Sequence, residues 1–264
     1  IKIDYNLSSA INFSAGTQER SIISGGAGSD PVLYLKMDEN TGTSTTYDSS
    51  GNDNDASLTS ITSSSWVRGK YGSALDFDGT ADYGQVTDNS TLDISGTEIT
   101  LSAWVKFTTA QSDKIIIEKG SSFGTGTYQL TAGSFYGGNT TVAFNLHSCS
   151  NGDAESTSSV NDGEWHHVVG VYDGSNKYIY VDGVLEASGS CSANINQNNG
   201  DLFIGARNGS SARYDGAMDE VKIWNYALNT SQIAYEFNRG KPIGHWKLDE
   251  CQGSTAHDSG YGGN

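Results

Sequence analysis

Hydrophobic and polar residues alternate in several segments, most clearly at residues 99–107. The apolar set there is Ile99, Leu101, Ala103, Val105 and Phe107, and the intervening set is Thr100, Ser102, Trp104 and Lys106. Successive side chains of a β-strand point to opposite faces, so this pattern predicts a strand with one apolar face. Similar alternation predicts strands at residues 142–146 and 165–172. In the latter, Trp165 has the bulk to anchor a hydrophobic core.

Residues 177–186 predict a β-hairpin, because Asp182-Gly183 stands between two arms rich in β-forming residues. A two-residue type I′ turn needs positive φ at both positions, and Asp-Gly is a pair that adopts it. The turn is therefore expected at Asp182 and Gly183.

One short helix and several further strands complete the predicted elements. The helix is expected at residues 230–237, with an N-cap at Thr230 or Ser231. Shorter apolar runs predict strands near residues 32–37, 75–77, 115–118, 128–130, 202–205 and 219–224. The total is about ten to fourteen strands. Because strands and helices do not alternate, we predict an all-β fold of two antiparallel sheets stacked face to face.

Composition and charge agree with this fold class and narrow the possible partners. The chain has 33 Gly and 14 Tyr but only two Pro, as expected for many short strands and tight turns. It has 15 Lys and Arg against 31 Asp and Glu, a formal net charge of −16. This charge repels phosphate backbones, so nucleic acid is not an expected partner. No segment has the length of an apolar membrane span, and any export signal is expected to be missing from this sequence.

An internal repeat predicts the domain organisation. LKMDE at 35–39, followed by DSSGN at 48–52, returns as WKLDE at 246–250, followed by DSG at 258–260. We therefore predict one β-sandwich at residues 31–241 and the truncated start of a second module at residues 242–264. Residues 1–30 are expected to be the tail of a preceding domain with a Gly- and Ser-rich linker.

The repeat also divides the three cysteines. Cys251 falls in the second module, which leaves Cys149 and Cys191 as a pair in the first. We predict a disulfide between them. Two free thiols in a reducing compartment are the alternative, because one sequence does not show proximity.

Seven segments occur in an order that resembles a known family. They are YLKMDENTG at 34–42, DSSGN at 48–52, WVRGKYGSALDFDGTADY at 66–83, ITLSAWVKF at 99–107, DGEWHHVVGVYDGSNKYIYVDG at 162–183, LFIGA at 202–206 and YDGAMDEVKIWNYAL at 214–228. Over residues 31–238 the chain resembles laminin G-like jelly-roll domains of the concanavalin A-like lectin and glucanase superfamily. The resemblance implies a jelly-roll sandwich.

The same resemblance implies a structural calcium ion. Relatives often hold a cation between the first strand, the loop after it and the last strand. The corresponding residues here are Asp38, Asp48, Asn52 and Asp219. Carboxylate, amide and carbonyl oxygens suit the six to eight ligands of Ca²⁺. Alternatively, these residues are turn formers and solvated charges at strand ends.

Catalysis is not expected, although the superfamily includes glucan-cleaving enzymes. Their acidic ExDxxE strand is absent from this sequence. Asp219 and Glu220 are adjacent, so in a regular strand they would point to opposite faces and could not flank one glycosidic bond. His166 and His167 are expected to differ in the same way, with a packing and hydrogen-bonding role for His167.

Glycan binding is the expected function, because sugar recognition combines aromatic faces with planar polar groups. The candidate ligand-binding residues lie near Gly- or Asn-rich turns and are Tyr83, Tyr136, Arg207 and Tyr214. We expect a secreted or cell-surface carbohydrate-binding or adhesion module in a multi-domain protein. Its expected partners are an extracellular glycan or glycoprotein and the neighbouring modules of the same polypeptide. Self-assembly of the module is a further option. A structural spacer or filament subunit without glycan binding is the alternative.

Overall fold

A computed structural model describes residues 30–40, 44–120, 127–134, 139–149 and 152–239. The predicted tail at 1–30, apart from its last residue, lies outside these residues, as do the predicted second module at 242–264 and Cys251. Within the described ranges, no helix is both long enough and apolar enough to cross a membrane.

Sixteen strands and one α-helix are formed by the described residues. The strands are β1 (Leu33–Leu35), β2 (Thr45–Thr46), β3 (Ala56–Thr59), β4 (Trp66–Arg68), β5 (Ser73–Asp78), β6 (Tyr83–Val86), β7 (Ile99–Lys106), β8 (Lys114–Lys119), β9 (Tyr128–Ala132), β10 (Val142–Leu146), β11 (Ala154–Glu155), β12 (His166–Tyr172), β13 (Asn176–Val181), β14 (Val184–Ser190), β15 (Leu202–Ile204) and β16 (Asp215–Trp224). The helix α1 spans Thr230–Asn238, and a 3₁₀ turn spans Ser63–Ser65.

The strands form two antiparallel sheets of eight strands each. Sheet A has the order β14-β13-β12-β7-β16-β5-β4, and β1 also pairs with β16. Sheet B has the order β11-β10-β9-β8-β15-β6-β3-β2. Side chains from both sheets meet in one hydrophobic core. The predicted two-sheet β-sandwich is therefore confirmed, with more strands than expected because several are only two or three residues long.

The strongest sequence patterns are found as predicted. The alternating segments become β7, β10 and β12, and the predicted hairpin is formed by β13 and β14. Its turn residues Asp182 and Gly183 have φ of 51° and 79°. Both values are positive, as a type I′ turn requires.

Strand β7 departs from the prediction of a single apolar face. Leu101 and Val105 lie in the core, but Ser102 and Trp104 on the opposite face are also buried. Helix α1 explains this burial, because the ring of Phe237 stacks on that of Trp104 with centroids 5.7 Å apart. The outward face of sheet A is therefore partly covered by a third layer.

Two other predictions about single residues were wrong. Trp165 does not anchor the core: it precedes β12, stays half-buried and lines a groove on the outer face of sheet A. The N-cap of α1 is Asn229, whose side chain accepts hydrogen bonds from the backbone N–H groups of Ser231 and Gln232, both at 3.0 Å. An Asn side chain in this position satisfies two donors at the helix N-terminus.

A β-bulge in β16 also overturns the expected orientation of Asp219 and Glu220. The pairing of β16 with β7 shifts register at this point, and Glu220 has a φ of 54°. Met218 and Val221 both lie in the core, so the two acidic residues between them are both on the outer side. An extra residue in one strand produces this geometry.

The predicted disulfide between Cys149 and Cys191 is confirmed, with Cα atoms 5.7 Å apart. Cys149 follows β10 of sheet B, and Cys191 follows β14 of sheet A. The bond therefore fastens the two sheets to each other at one end of the sandwich.

Candidate functional site

Two of the four predicted calcium ligands lie in a separate, self-contained loop. The Asp48 carboxylate accepts hydrogen bonds from the backbone N–H groups of Tyr34, Ser50 and Asn54 at 2.9–3.0 Å, and from the Ser50 hydroxyl at 2.6 Å. The Asn52 amide donates to the carbonyl oxygen of Val32 at 3.1 Å. These contacts tie the loop to β1 and use the acceptor capacity of Asp48.

The other two predicted ligands, Asp38 and Asp219, share the turn between β4 and β5. Asp38 Oδ1 accepts from the backbone N–H of Ser73, and Asp219 Oδ2 accepts from that of Tyr71, both at 2.9 Å. The turn fits closely around both carboxylates. A Cβ atom at Gly69 would lie 2.7 Å from Asp219 Oδ2, and one at Gly72 would collide with Asp38.

Asp219 is an incompletely satisfied buried carboxylate. Its side chain is 0% exposed, and Oδ1 has no hydrogen-bond partner. Burial, together with the nearby carboxylates of Glu220 and Asp38, raises the pKa of Asp219 to about 7. A cation would compensate these charges. Across the described ranges no three His, Cys, Asp or Glu side chains cluster as metal ligands, so carbonyl groups or water would have to supply the other ligands.

The predicted ligand-binding residues are distributed unevenly. Tyr214 is 0% exposed and packs edge-on against Phe77 and Phe107, so its ring cannot contact a ligand. This prediction failed because a tyrosine beside a turn can still point inward. Tyr136 lies outside the described residues.

Arg207 is held in a nearly buried charge network at the outer face of sheet B. Its guanidinium donates two hydrogen bonds to Asp113, at 3.0 and 3.1 Å, and one to Glu118 Oε1 at 3.3 Å. It also donates to the side-chain oxygen of Gln129 at 3.5 Å. Planar, bidentate pairing of this kind fixes the guanidinium in one orientation.

A row of side chains crosses sheet B on this outer face, and we call it the polar row. It consists of Asn145 on β10, Gln129 on β9, Glu118 on β8, Phe203 on β15 and Gln85 on β6, each opposite the next in register. Most of their sequence neighbours belong to the core, as expected for strands with opposite faces. Tyr83 lies beside this row, with its ring centroid 6.2 Å from that of Phe203. The structure thus brings Tyr83 and Arg207 to the same face.

Several buried atoms in and beside the polar row have no hydrogen-bond partner among the residues that the structure describes. They are Glu118 Oε2, Asn145 Oδ1 and His147 Nε2. Burial raises the pKa of Glu118 to about 7 despite the neighbouring Arg207, and it lowers the pKa of His147. Buried polar atoms are normally paired with protein, water or ligand, so these unpaired atoms make the face a candidate for binding water or a polar ligand.

Sequence reasoning missed Glu118, Gln129 and Asn145. Each is a polar residue directly after or between apolar residues of its strand: KIIIEK, YQLTA and VAFNL. That signal was available, but it shows only that a side chain faces away from the core. The register that aligns the three residues comes from pairing between strands.

Comparison with known proteins identifies the family. Residues 78–234, more than half of the chain, match a laminin G-like family model described as "Concanavalin A-like lectin/glucanases superfamily". The chain belongs to the concanavalin A-like lectin/glucanases superfamily. Membership in this superfamily confirms the resemblance carried by the sequence motifs. No curated protein sequence matches the chain significantly.

Several solved structures of the same fold are similar. Domain 4 of AbnA, a GH43 extracellular arabinanase from Geobacillus stearothermophilus in complex with arabinotriose, has a TM-score of 0.62 and 20% identity, covering 78% of this chain and 98% of that domain. The binding domain of Paraclostridial Mosquitocidal Protein 1 has a TM-score of 0.59 and 14% identity, covering 80% and 52%. The binding domain of botulinum neurotoxin DC in complex with SialylT has a TM-score of 0.58 and 13% identity, covering 83% and 53%. The match spans about half of each toxin domain, and these low identities establish the fold alone.

Proposed function

We propose that this protein is a carbohydrate-binding module whose ligand site is the polar row on sheet B. The observation that carries the proposal is the set of buried, unpaired atoms Glu118 Oε2, Asn145 Oδ1 and His147 Nε2. Sugar hydroxyls both donate and accept hydrogen bonds, so they match the mixed donor and acceptor needs of such groups. The half-buried Tyr83 and buried Phe203 would supply apolar contact beside them.

The charges on this face favour a neutral saccharide over an anionic one. Arg207 is already paired with Asp113 and Glu118, so its charge is compensated. The protein as a whole has a formal net charge of −16, which repels acidic polymers at long range. The complex of a fold relative with arabinotriose adds support for saccharide recognition by such a sandwich.

Glycan-array screening of the chain, followed by calorimetric titration of the best neutral oligosaccharide, tests the proposal. Asn145→Ala removes one of the unpaired acceptors, and we expect the saccharide affinity to fall at least about tenfold, equivalent to about 1.4 kcal/mol. Asn176→Ala on sheet A is the matched control, and its affinity should equal that of the unmodified chain.

Two outcomes would contradict the proposal. One is the absence of saturable binding to any saccharide on the array. The other is an equal effect of Asn145→Ala and Asn176→Ala when thermal unfolding shows that both variants are folded.

Calcium binding by Asp38 and Asp219 is a second part of the proposal. It is supported by the unpaired Asp219 Oδ1 and by the close fit of the Gly69–Gly72 turn around both carboxylates. The ion would join β16 and the segment after β1 to this turn and stabilise only the folded chain. Asp48 and Asn52 are left out because their side chains bond within their loop and to residues Val32 and Tyr34 at β1.

Thermal unfolding after chelation and with added CaCl₂ tests this site. Calcium should raise the Tm of the unmodified chain but not that of Asp219→Asn. Asp48→Asn is the control: it should lower the Tm by disturbing four hydrogen bonds, yet keep the full calcium response. An unchanged Tm of the unmodified chain on addition of calcium would contradict the assignment.

We propose binding without catalysis, because the acidic pair in β16 is engaged elsewhere. Glu220 accepts from the Tyr34 hydroxyl and pairs with Arg239, both at 2.6 Å, while Asp219 faces Asp38. A secreted or cell-surface location is proposed from the disulfide, which persists in oxidising compartments. An adhesion module would use the same saccharide site. A structural spacer would need no saccharide site.

A further inference from the structure

A groove of about 350 Å³ lies on the outer face of sheet A, on the opposite side of the sandwich from the polar row. Ala217, between Asp76 and Lys106 on adjacent strands, and Gly216 provide small residues at its floor, and Phe107 and Trp165 also line it. Small residues at the floor create the depression, because neighbouring strands carry long side chains. The volume falls within the range of about 300–1,000 Å³ for small-ligand sites.

Long polar side chains line this groove without using their hydrogen-bonding capacity. Asp76, Ala217 and Lys106 are opposite one another on β5, β16 and β7, so the acid and the base flank the floor. Arg68 and Asp215 complete the charged rim. No described residue forms an ion pair with Asp76, Lys106 or Arg68, and only Asp215 has a side-chain partner, the Thr109 hydroxyl at 3.0 Å.

The charges and the aromatic ring together select the ligand class. Two acidic and two basic side chains compensate each other, so an ionic ligand gains little net attraction there. Partial burial and the nearby Asp215 raise the pKa of Asp76. The half-buried indole of Trp165 offers a flat apolar surface that suits the C–H face of a sugar ring, with hydroxyl partners on both sides.

We infer that this groove is a second saccharide-binding site, centred on Trp165, which makes the module bivalent. Its ligand is one or two units of a neutral oligosaccharide. The inference takes its ligand class from the proposed function, but its position and residues are independent of the polar row. Because the two sites face opposite sides of the sandwich, one molecule can join two polysaccharide chains, whereas a single short oligosaccharide cannot reach both.

Site-resolved binding tests this inference on the full chain. Calorimetry with arabinotriose and a panel of neutral trisaccharides should give two sites per molecule for at least one sugar. Trp165→Ala should reduce the number of sites to one, and Asn145→Ala should remove the other. Lys106→Met, which keeps the length of the side chain, should weaken the groove site at least about tenfold. Tyr47→Ala replaces an aromatic ring that is 55% exposed elsewhere and should change neither site.

Cross-linking provides the second readout. The unmodified chain should increase the hydrodynamic size of a soluble neutral polysaccharide that it binds, and each single-site variant should bind it without cross-linking. One site per molecule that survives Trp165→Ala overturns the bivalent assignment and leaves the polar row intact. One site that is lost with Trp165→Ala and kept in Asn145→Ala overturns the polar row instead. No binding to any saccharide overturns both.

Discussion

The outer faces of the two sheets are both largely buried, but they are buried by opposite means. On sheet A, Trp104 and His167 are sealed beneath Phe237 of α1 in a stack of rings. On sheet B, Glu118 and Asn145 stand among polar groups and keep unpaired oxygen atoms. Burial alone therefore does not separate a packing surface from a binding surface. The presence of unpaired polar atoms does not separate them either, since Ser102 Oγ and His167 Nδ1 on sheet A also lack partners among the described residues. What differs is the cover: the described helix lies over the rings of sheet A, whereas polar groups surround the unpaired oxygen atoms of sheet B.

Trp104→Ala should produce the largest effect on the packing surface. Removing this ring leaves a cavity between His167, Tyr71 and Phe237, and we expect the free energy of unfolding to fall by about 3–5 kcal/mol. Urea unfolding measures the loss, with Tyr47→Ala expected within about 0.5 kcal/mol of the unmodified chain. Saccharide affinity at the polar row should not change. A loss of affinity in folded Trp104→Ala protein would mean that the two faces are not independent.

Breaking the link between the sheets should have the next largest effect. The double substitution Cys149→Ser with Cys191→Ser opens a loop whose ends are 42 residues apart. We expect a loss of about 2–4 kcal/mol in the free energy of unfolding. The unmodified chain under reducing conditions should lose the same amount. Cys149 follows the strand that carries Asn145. Loss of the disulfide should therefore lower saccharide affinity at the polar row more than at the Trp165 groove. An equal fall at both sites would contradict a link between the disulfide and the polar row.

The two faces should also respond to pH in opposite directions. Burial, aided by Lys222 and Lys70, lowers the pKa of His167 to about 3, so its contribution to stability is lost as pH falls below about 6.5. Burial raises the pKa of Glu118 to about 7, so its contribution is lost as pH rises from about 4.3 to 7.

Two substitutions separate these slopes. We expect the free energy of unfolding of His167→Phe to exceed that of the unmodified chain by roughly 1–3 kcal/mol at pH 4.5, with a smaller difference at pH 7.5. Glu118→Gln should show the reverse dependence, with its relative gain at pH 7.5. Urea unfolding across this pH range measures both, and parallel curves for all three proteins would show that neither group titrates as described.

The sequence predicted the two-layer fold because strand periodicity and turn chemistry are local. Residues 99–107 alternate, and Asp182-Gly183 has the turn chemistry that its observed φ angles require. The prediction failed where a third layer or an irregularity intervened. Burial of Trp104 depends on Phe237 of α1, which lies 133 residues later in the chain. The bulge at Glu220 has no recognisable pattern in the sequence DEVKIW.

The binding surfaces were only partly predictable for a similar reason. Arg207 was chosen as a planar polar residue near a turn, and it does reach the outer face of sheet B. Its partner Asp113 lies 94 residues away, however, and only the fold shows that the two are paired. Tyr214 met the same sequence criterion and is buried.

The pairing of β1 with β16 has a mechanical consequence. Leu33, at the start of β1, lies opposite Ile223, near the end of β16. A force that separates the N-terminal side of β1 from the C-terminal side of β16 would peel the two strands apart from one end, rupturing their hydrogen bonds in succession rather than together. Such an arrangement resists less force than one in which all the hydrogen bonds are loaded at the same time.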